Sequence, residues 1–138
     1  MADRKDWNRP IIDEFHANGG KVGGPFEHQP LLLLTHTGAK TGQKRTNPLA
    51  YLADGDRYVI FASKAGAPTN PDWYHNLVAN PAATIEVGTE TLEVEAEVAR
   101  GEERDRLWTE QVRRSPGFGE YESKAGRSIP VVILRPKA

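Results

Sequence analysis

The chain has 138 residues, with 18 Lys and Arg against 19 Asp and Glu, a formal net charge of -1 and 38% hydrophobic residues. That suffices for one domain with a sizeable core and gives no global field to recruit nucleic acid or an anionic membrane. There is no cysteine, which excludes a disulfide frame, a thiolate zinc site and a cysteine nucleophile, and fits a cytoplasmic protein.

The opening MADRKDWNRPIIDEF mixes both charges and lacks the apolar stretch of a signal peptide. No run approaches the roughly 18 apolar residues of a membrane span. Residues 1–29 read as a helix and a mobile loop, and 30–138 as a barrel domain. The helix is expected over 6–17, with an interruption near Pro10. Ile11, Ile12 and Phe15 form a small apolar patch on it, expected to pack on the barrel, with weak membrane association as the alternative. The loop 19–30, GGKVGGPFEHQP with its preceding turn, is rich in Gly and Pro.

Four consecutive leucines open a strand over 31–36 that leaves no solvent face. A second strand follows over 45–53, where Pro48 lacks a backbone donor and requires an edge or a bulge. Asp54-Gly55-Asp56 signals a hairpin into a third strand over 58–63. Asn70-Pro71-Asp72 has the grammar of a helix start, with a capping amide, proline at the first position and an early acid. That helix is expected to stop before Asn80-Pro81, because the residue before proline resists helical geometry. Two more strands, 83–87 and 91–99, form a hairpin around Gly88, with Leu92, Val94, Ala96 and Val98 inward and Glu93, Glu95 and Glu97 outward. A helix over 102–114 has acids early and Arg113-Arg114 late. A last strand spans 129–134. About six strands with short turns and late helices predict a mainly β, α+β fold: a compact β-barrel with peripheral helices.

Two loops carry the chemistry. THTGAKTGQKR gathers Lys40, Lys44 and Arg45; it lacks the order of a P-loop and leads into a strand, not a helix. Ala62-Ser63-Lys64-Ala65-Gly66 offers a hydroxyl, an ammonium and backbone donors to one phosphate. Both follow barrel strands, so both can border one cleft. The bland alternative for each is a solvated polar tip. Trp73 and Asn76 share a helix face; the tryptophan is a natural core residue, whereas a buried amide must find partners in a ligand or a backbone group. Tyr121 lies in a segment that either covers a pocket or merely anchors the connection. His16, His28, His36 and His75 form no paired metal motif, and no hydrolase elbow or aromatic-interleaved basic patch is present.

The run TGAKTGQKRTNPL, the segment ASKAGAPTNPDWYHNLVANP and the tyrosine-bearing stretch before RSIPVVILRP resemble the deazaflavin (F420)-dependent nitroreductase family of actinobacteria. The resemblance covers the chain from about Leu31 onward. It implies a split β-barrel, commonly dimeric, that binds F420, an 8-hydroxy-5-deazaflavin coenzyme with a phosphodiester and an oligoglutamate tail. It carries Lys40 and Arg45, with Lys44 as a third cation, to tail and phosphate. It places Ser63, Lys64, Ala65 and Gly66 around the phosphate and ribityl chain, Trp73 and Asn76 beside cofactor or substrate, and Tyr121 on a flap lining the substrate pocket. Phe118 and Lys124 stand where nitroimidazole-reducing relatives often have further tyrosines.

The implied activity is hydride transfer from the reduced deazaflavin to a small quinone, enone or nitroaromatic, with Tyr121 or Ser63 as proton or hydrogen-bond donor and no metal. The ring stores the hydride, so the protein need supply no nucleophile. The alternatives are an FMN-binding split-barrel oxidoreductase and a non-catalytic F420 carrier.

Overall fold

The computed structural model describes residues 4–22, 31–62, 70–114, 120, 124 and 129–137, with side chains from residue 10 onward. Its elements are α1 (Arg4–Ala17), β1 (Leu31–Thr37), β2 (Lys44–Ala50), β3 (Leu52–Asp54), β4 (Arg57–Phe61), α2 (Asp72–Ala79), β5 (Ala82–Val87), β6 (Glu90–Val98), α3 (Gly101–Arg114) and β7 (Val131–Pro136). Most of the expected loop 19–30 lies outside the described residues.

The strands form one antiparallel sheet in the order β2-β1-β5-β6-β7-β4-β3. The two end strands, β2 and β3, are joined by the single residue Tyr51. A sheet whose two edges are one continuous stretch of chain must curl round on itself, which makes a barrel of six staves from seven strands. The expected strand over 45–53 is therefore two strands. It breaks at Tyr51 because Ala50 pairs with Leu31 on β1 whereas Leu52 pairs with Val59 on β4, so the chain changes neighbours at that corner. Pro48 sits on β2, which pairs only with β1, as a residue without a donor requires.

Alternation divides each strand between two jobs. Leu32, Leu34, Ile60, Val94, Val132 and Leu134 fill the barrel interior. Leu31 and Leu33, of opposite parity on β1, pack outward under Phe15 and Val22, with Ile11 and Ile12 against them. The apolar patch of α1 thus packs on the barrel as expected, with Ile11 and Ile12 partly buried, and no described helix is long and apolar enough to cross a membrane. At the other outer face, Val59, Phe61, Val131 and Ile133 are covered by Leu107 and Trp108 of α3. β6 shows the expected alternation, with its glutamates 93, 95 and 97 exposed.

Helix α1 runs through Pro10 rather than stopping there. Its exit turn needs Gly20, whose φ is +99° and where a Cβ would lie 2.5 Å from Gly88 Cα of the β5–β6 hairpin. Arg57 joins Asp54 and Glu103, and Arg106 also bonds Asp54, so ion pairs tie the β3–β4 hairpin to α3. The last strand begins at Val131, two residues later than expected. Pro130 before it has no donor and contributes its carbonyl to Ala62 N–H at 3.0 Å.

Candidate functional site

β1, β4 and β6 all finish at one end of the barrel, and β2, β5 and β7 start there. Helix α2 closes that end. Its start differs from expectation by one position: Pro71, not Asn70, occupies the N-cap, with φ -69° and ψ 157°, and makes no side-chain capping bond. Its end is as expected, with Asn80 N–H donating to Asn76 O at 2.8 Å. Trp73 and Leu77 point from α2 into the barrel and join the interior cluster with Leu32, Leu34 and Ile60. Trp73 is therefore a core residue on its described surroundings.

The cationic turn sits at the same end. Directly paired residues of neighbouring strands share a face, so Leu32 with Leu49, Leu34 with Asn47 and His36 with Arg45 all belong to the inward row of β1 and β2. Arg45 is the outermost member of that row and lies over the barrel mouth, whereas Lys44, paired with Thr37, belongs to the outward row. Lys40 is on the turn itself. All three are exposed and make no ion pair among the described residues. Arg57, Arg106, Arg113, Arg114 and Arg135 all do. Three uncompensated cations within six residues suit a ligand with a phosphodiester and several carboxylates.

Ala62 directly follows β4 at this same mouth, fully buried, with its N–H donating to Pro130 O. A donor role toward phosphate would thus fall to the residues after it. Ser63, Lys64, Ala65, Gly66 and Tyr121 lie outside the described residues, as does Phe118.

Asn76 is buried, and both its amide oxygen and its amide nitrogen have a protein partner. Ala39 N–H donates to its Oδ1 at 2.9 Å. Its Nδ2 donates to His36 Nδ1 at 3.0 Å. His36 Nε2 in turn reaches Asn47 Oδ1 at 2.6 Å. The backbone N–H of Ala39 can only donate, which fixes the Asn76 amide. The amide NH2 can only donate, so His36 Nδ1 carries no proton and Nε2–H donates to Asn47. The imidazole is 2% exposed. Burial lowers its pKa below the ordinary 6.5 and the charge of Arg45 acts the same way, against opposing contributions from the Asn47 hydrogen bond and Asp72. His36 and Asn47 are missed by motif reasoning. Their sequence signal is parity alone: 36 continues the inward series 32, 34.

Tyr51 and Tyr58 lie at the opposite end of the barrel, edge to face at 5.5 Å. Burial, with a contribution from Tyr58, raises the Tyr51 pKa, so that phenol stays protonated.

A curled seven-stranded sheet, one end covered by a helix and overhung by three cations without an ion-pair partner among the described residues, is a split-barrel architecture. The chain belongs to the F420H(2)-dependent quinone reductase family, whose model matches residues 7–136. It is 42% identical over 124 residues to the F420H(2)-dependent quinone reductase Rv1261c of Mycobacterium tuberculosis (strain ATCC 25618 / H37Rv), covering 87% of this chain and 83% of that protein. The solved structure of an F420-H2 dependent reductase, FDR-A, is 40% identical with a TM-score of 0.71, covering 77% of this chain and 94% of that one. A second solved structure, described as a domain-swapped dimer, is 36% identical with a TM-score of 0.73, covering 96% of this chain and all of that one. The expected family and split-barrel fold are borne out.

Proposed function

We propose that this chain is an F420H2-dependent reductase that passes hydride to a quinone, with enones and nitroaromatics as further acceptors of the same kind. The observation that carries the reading is the uncompensated Lys40, Lys44 and Arg45 set at the helix-capped mouth of the barrel, in a chain of the F420H(2)-dependent quinone reductase family. When bound, the reduced deazaflavin supplies the hydride. Lys40 and Arg45 hold the anionic tail and phosphate by charge-assisted hydrogen bonds. Ser63, Lys64, Ala65 and Gly66 surround the phosphate and ribityl chain, and the helix bearing Trp73 and Asn76 backs the cofactor. Tyr121 or Ser63 donates a proton or hydrogen bond to the quinone oxygen as charge develops there. Hydride alone takes the quinone to the hydroquinone monoanion, and one proton, from Tyr121, Ser63 or solvent, completes the hydroquinone.

Titration of the purified protein with F420 and with FMN tests the cofactor. F420 is expected to bind more tightly, and tighter FMN binding would refute the reading. Lys40→Ala and Arg45→Ala are each expected to weaken F420 about tenfold at low salt and less at about 0.5 M salt. Mixing reduced F420 with menadione in a single turnover separates an enzyme from a carrier, because a carrier leaves bound F420H2 reduced. The reading includes a homodimer, supported by the relative described as a domain-swapped dimer. Sedimentation as a monomer at micromolar concentration would refute that part.

A further inference from the structure

The four groups Ala39 N–H, Asn76, His36 and Asn47 form a chain in which each link dictates the orientation of the next. Within the turn, Gly38 N–H bonds Gln43 O at 2.8 Å, Gly42 N–H bonds Gly38 O at 3.0 Å and Gln43 N–H bonds Thr41 Oγ1 at 3.2 Å. Among the described residues, the bond from Ala39 to Asn76 is the turn's tether to α2. We propose that His36 is a positioning residue for the cationic turn, holding it through Asn76 when neutral and releasing it when protonated, so that the affinity of the turn for an anionic ligand falls on acidification.

The reasoning is a count of donors. A second proton on His36 must go to Nδ1, where it faces the NH2 of Asn76, donor against donor. Turning the amide over satisfies Nδ1–H with Oδ1, but then the NH2 meets Ala39 N–H. The conflict can be moved along the chain and not removed. Exposure decides where it comes to rest. His36 is 2% exposed and Asn76 8%, so a conflict left between them stays dry. Ala39 is exposed and its bond to Asn76 is only part-buried, whereas the Asn76–His36 bond is buried, so the conflict costs least at Ala39. The amide therefore flips and the turn loses its tether.

The charged groups acting on His36 are Arg45 on β2, which disfavours the second proton, and Asp72 on α2, which favours it. An anionic ligand neutralising Arg45 would ease protonation, and the lost tether would in turn weaken the ligand, so the coupling includes both terms.

This inference rests on the cofactor reading above, and the experiment keeps the two apart. Nitrogen-15 spectra of the wild-type protein should show His36 as the neutral Nε2–H tautomer at about pH 7.5. Ala39 amide exchange in the ligand-free protein, corrected for intrinsic pH dependence, should lose protection between about pH 8 and pH 5. In His36→Gln, which cannot titrate, that loss should vanish. In Asn76→Asp, whose carboxylate accepts from both Ala39 N–H and an imidazolium, protection should persist at both ends of the range. The dissociation constant of F420 should rise roughly three- to tenfold more in wild type than in His36→Gln over that range, the worth of one hydrogen bond. Titration of F420 itself is common to both proteins and cancels in the ratio.

A protonated Nδ1 at neutral pH, Ala39 protection independent of pH, or identical F420 profiles for wild type and His36→Gln would each overturn the proposal. Absence of F420 binding at every pH would overturn the cofactor reading and the affinity half of the proposal, while the tautomer and exchange data still decide the tether. Should His36→Gln not fold, the wild-type tautomer and exchange data decide alone.

Discussion

Replacing Asn76 by Ala removes one side chain and strands two groups of unequal exposure. Ala39 N–H, freed from a 2.9 Å bond, sits on an exposed turn and can bind water, so its loss costs about 0.5–1.5 kcal/mol. His36 Nδ1, freed from a 3.0 Å bond, lies on a ring that is 2% exposed, where an unmet polar group costs about 1–3 kcal/mol. Changing tautomer does not help, since a proton on Nδ1 would be equally unpartnered. The sum is about 1.5–4.5 kcal/mol, a large share of the roughly 5–15 kcal/mol typical of a domain. Urea unfolding of the single variants Asn76→Ala and His36→Leu and of the double variant measures it. If the two residues act as one unit, the double variant should lose about 1–2 kcal/mol less than the sum of the singles. Additivity within about 0.5 kcal/mol, or a loss from Asn76→Ala below about 0.5 kcal/mol, would refute the linked chain.

Three further outcomes follow from the same structure. Lys44→Ala should weaken F420 less than about threefold where Arg45→Ala weakens it about tenfold, because the register puts Arg45 over the mouth and Lys44 on the outer row; equal losses in a fluorescence titration would show that register does not sort these cations. Leu34→Ala, at a fully buried interior position, should cost about 3–5 kcal/mol in urea unfolding, and a loss under about 1.5 kcal/mol would mean the interior is not close-packed there. The lowered pKa of His36 means the unfolded chain binds the extra proton first, so its stability contribution is whole above about pH 6.5 and is lost as pH falls through the lower folded-state value; urea midpoints should fall more steeply over that window in wild type than in His36→Gln, and equal slopes would refute it.

Much of the fold was legible because its signals are local. Four leucines with no polar alternate require cover on both faces, and they find barrel interior on one side and α1 on the other. The Asp54-Gly55-Asp56 turn has Gly55 at φ +63°, a conformation Asp-Gly announces. The glutamate alternation of β6 and the stop at Asn80-Pro81 are equally local. Strand boundaries were less legible because they depend on partners. Nothing around Tyr51 marks a break, since the break is where pairing passes from Leu31 to Val59. The cap at α2 shifted by one residue because Pro71, with ψ of 157°, is still extended where a first helical residue would not be.

The site divides along the same line. Residue types gave the three cations and the amide on the helix face, and left a ligand or a backbone group as its partner, which foresees Ala39 N–H and not the His36 ring. The answer is a backbone group 37 residues away and an imidazole 40 residues away, and neither separation leaves a pattern in sequence. Once the register of β1 and β2 is known, parity ranks the cations, placing Arg45 and His36 on one face of one pair. That pairing couples the proposed anion site electrostatically to the buried histidine. A positive charge standing over a neutral imidazole opposes its protonation, and an anion drawn to that charge relieves the opposition. On the proposed cofactor reading, ligand binding and proton binding at this mouth are therefore linked, in whichever direction the Asn76 amide turns.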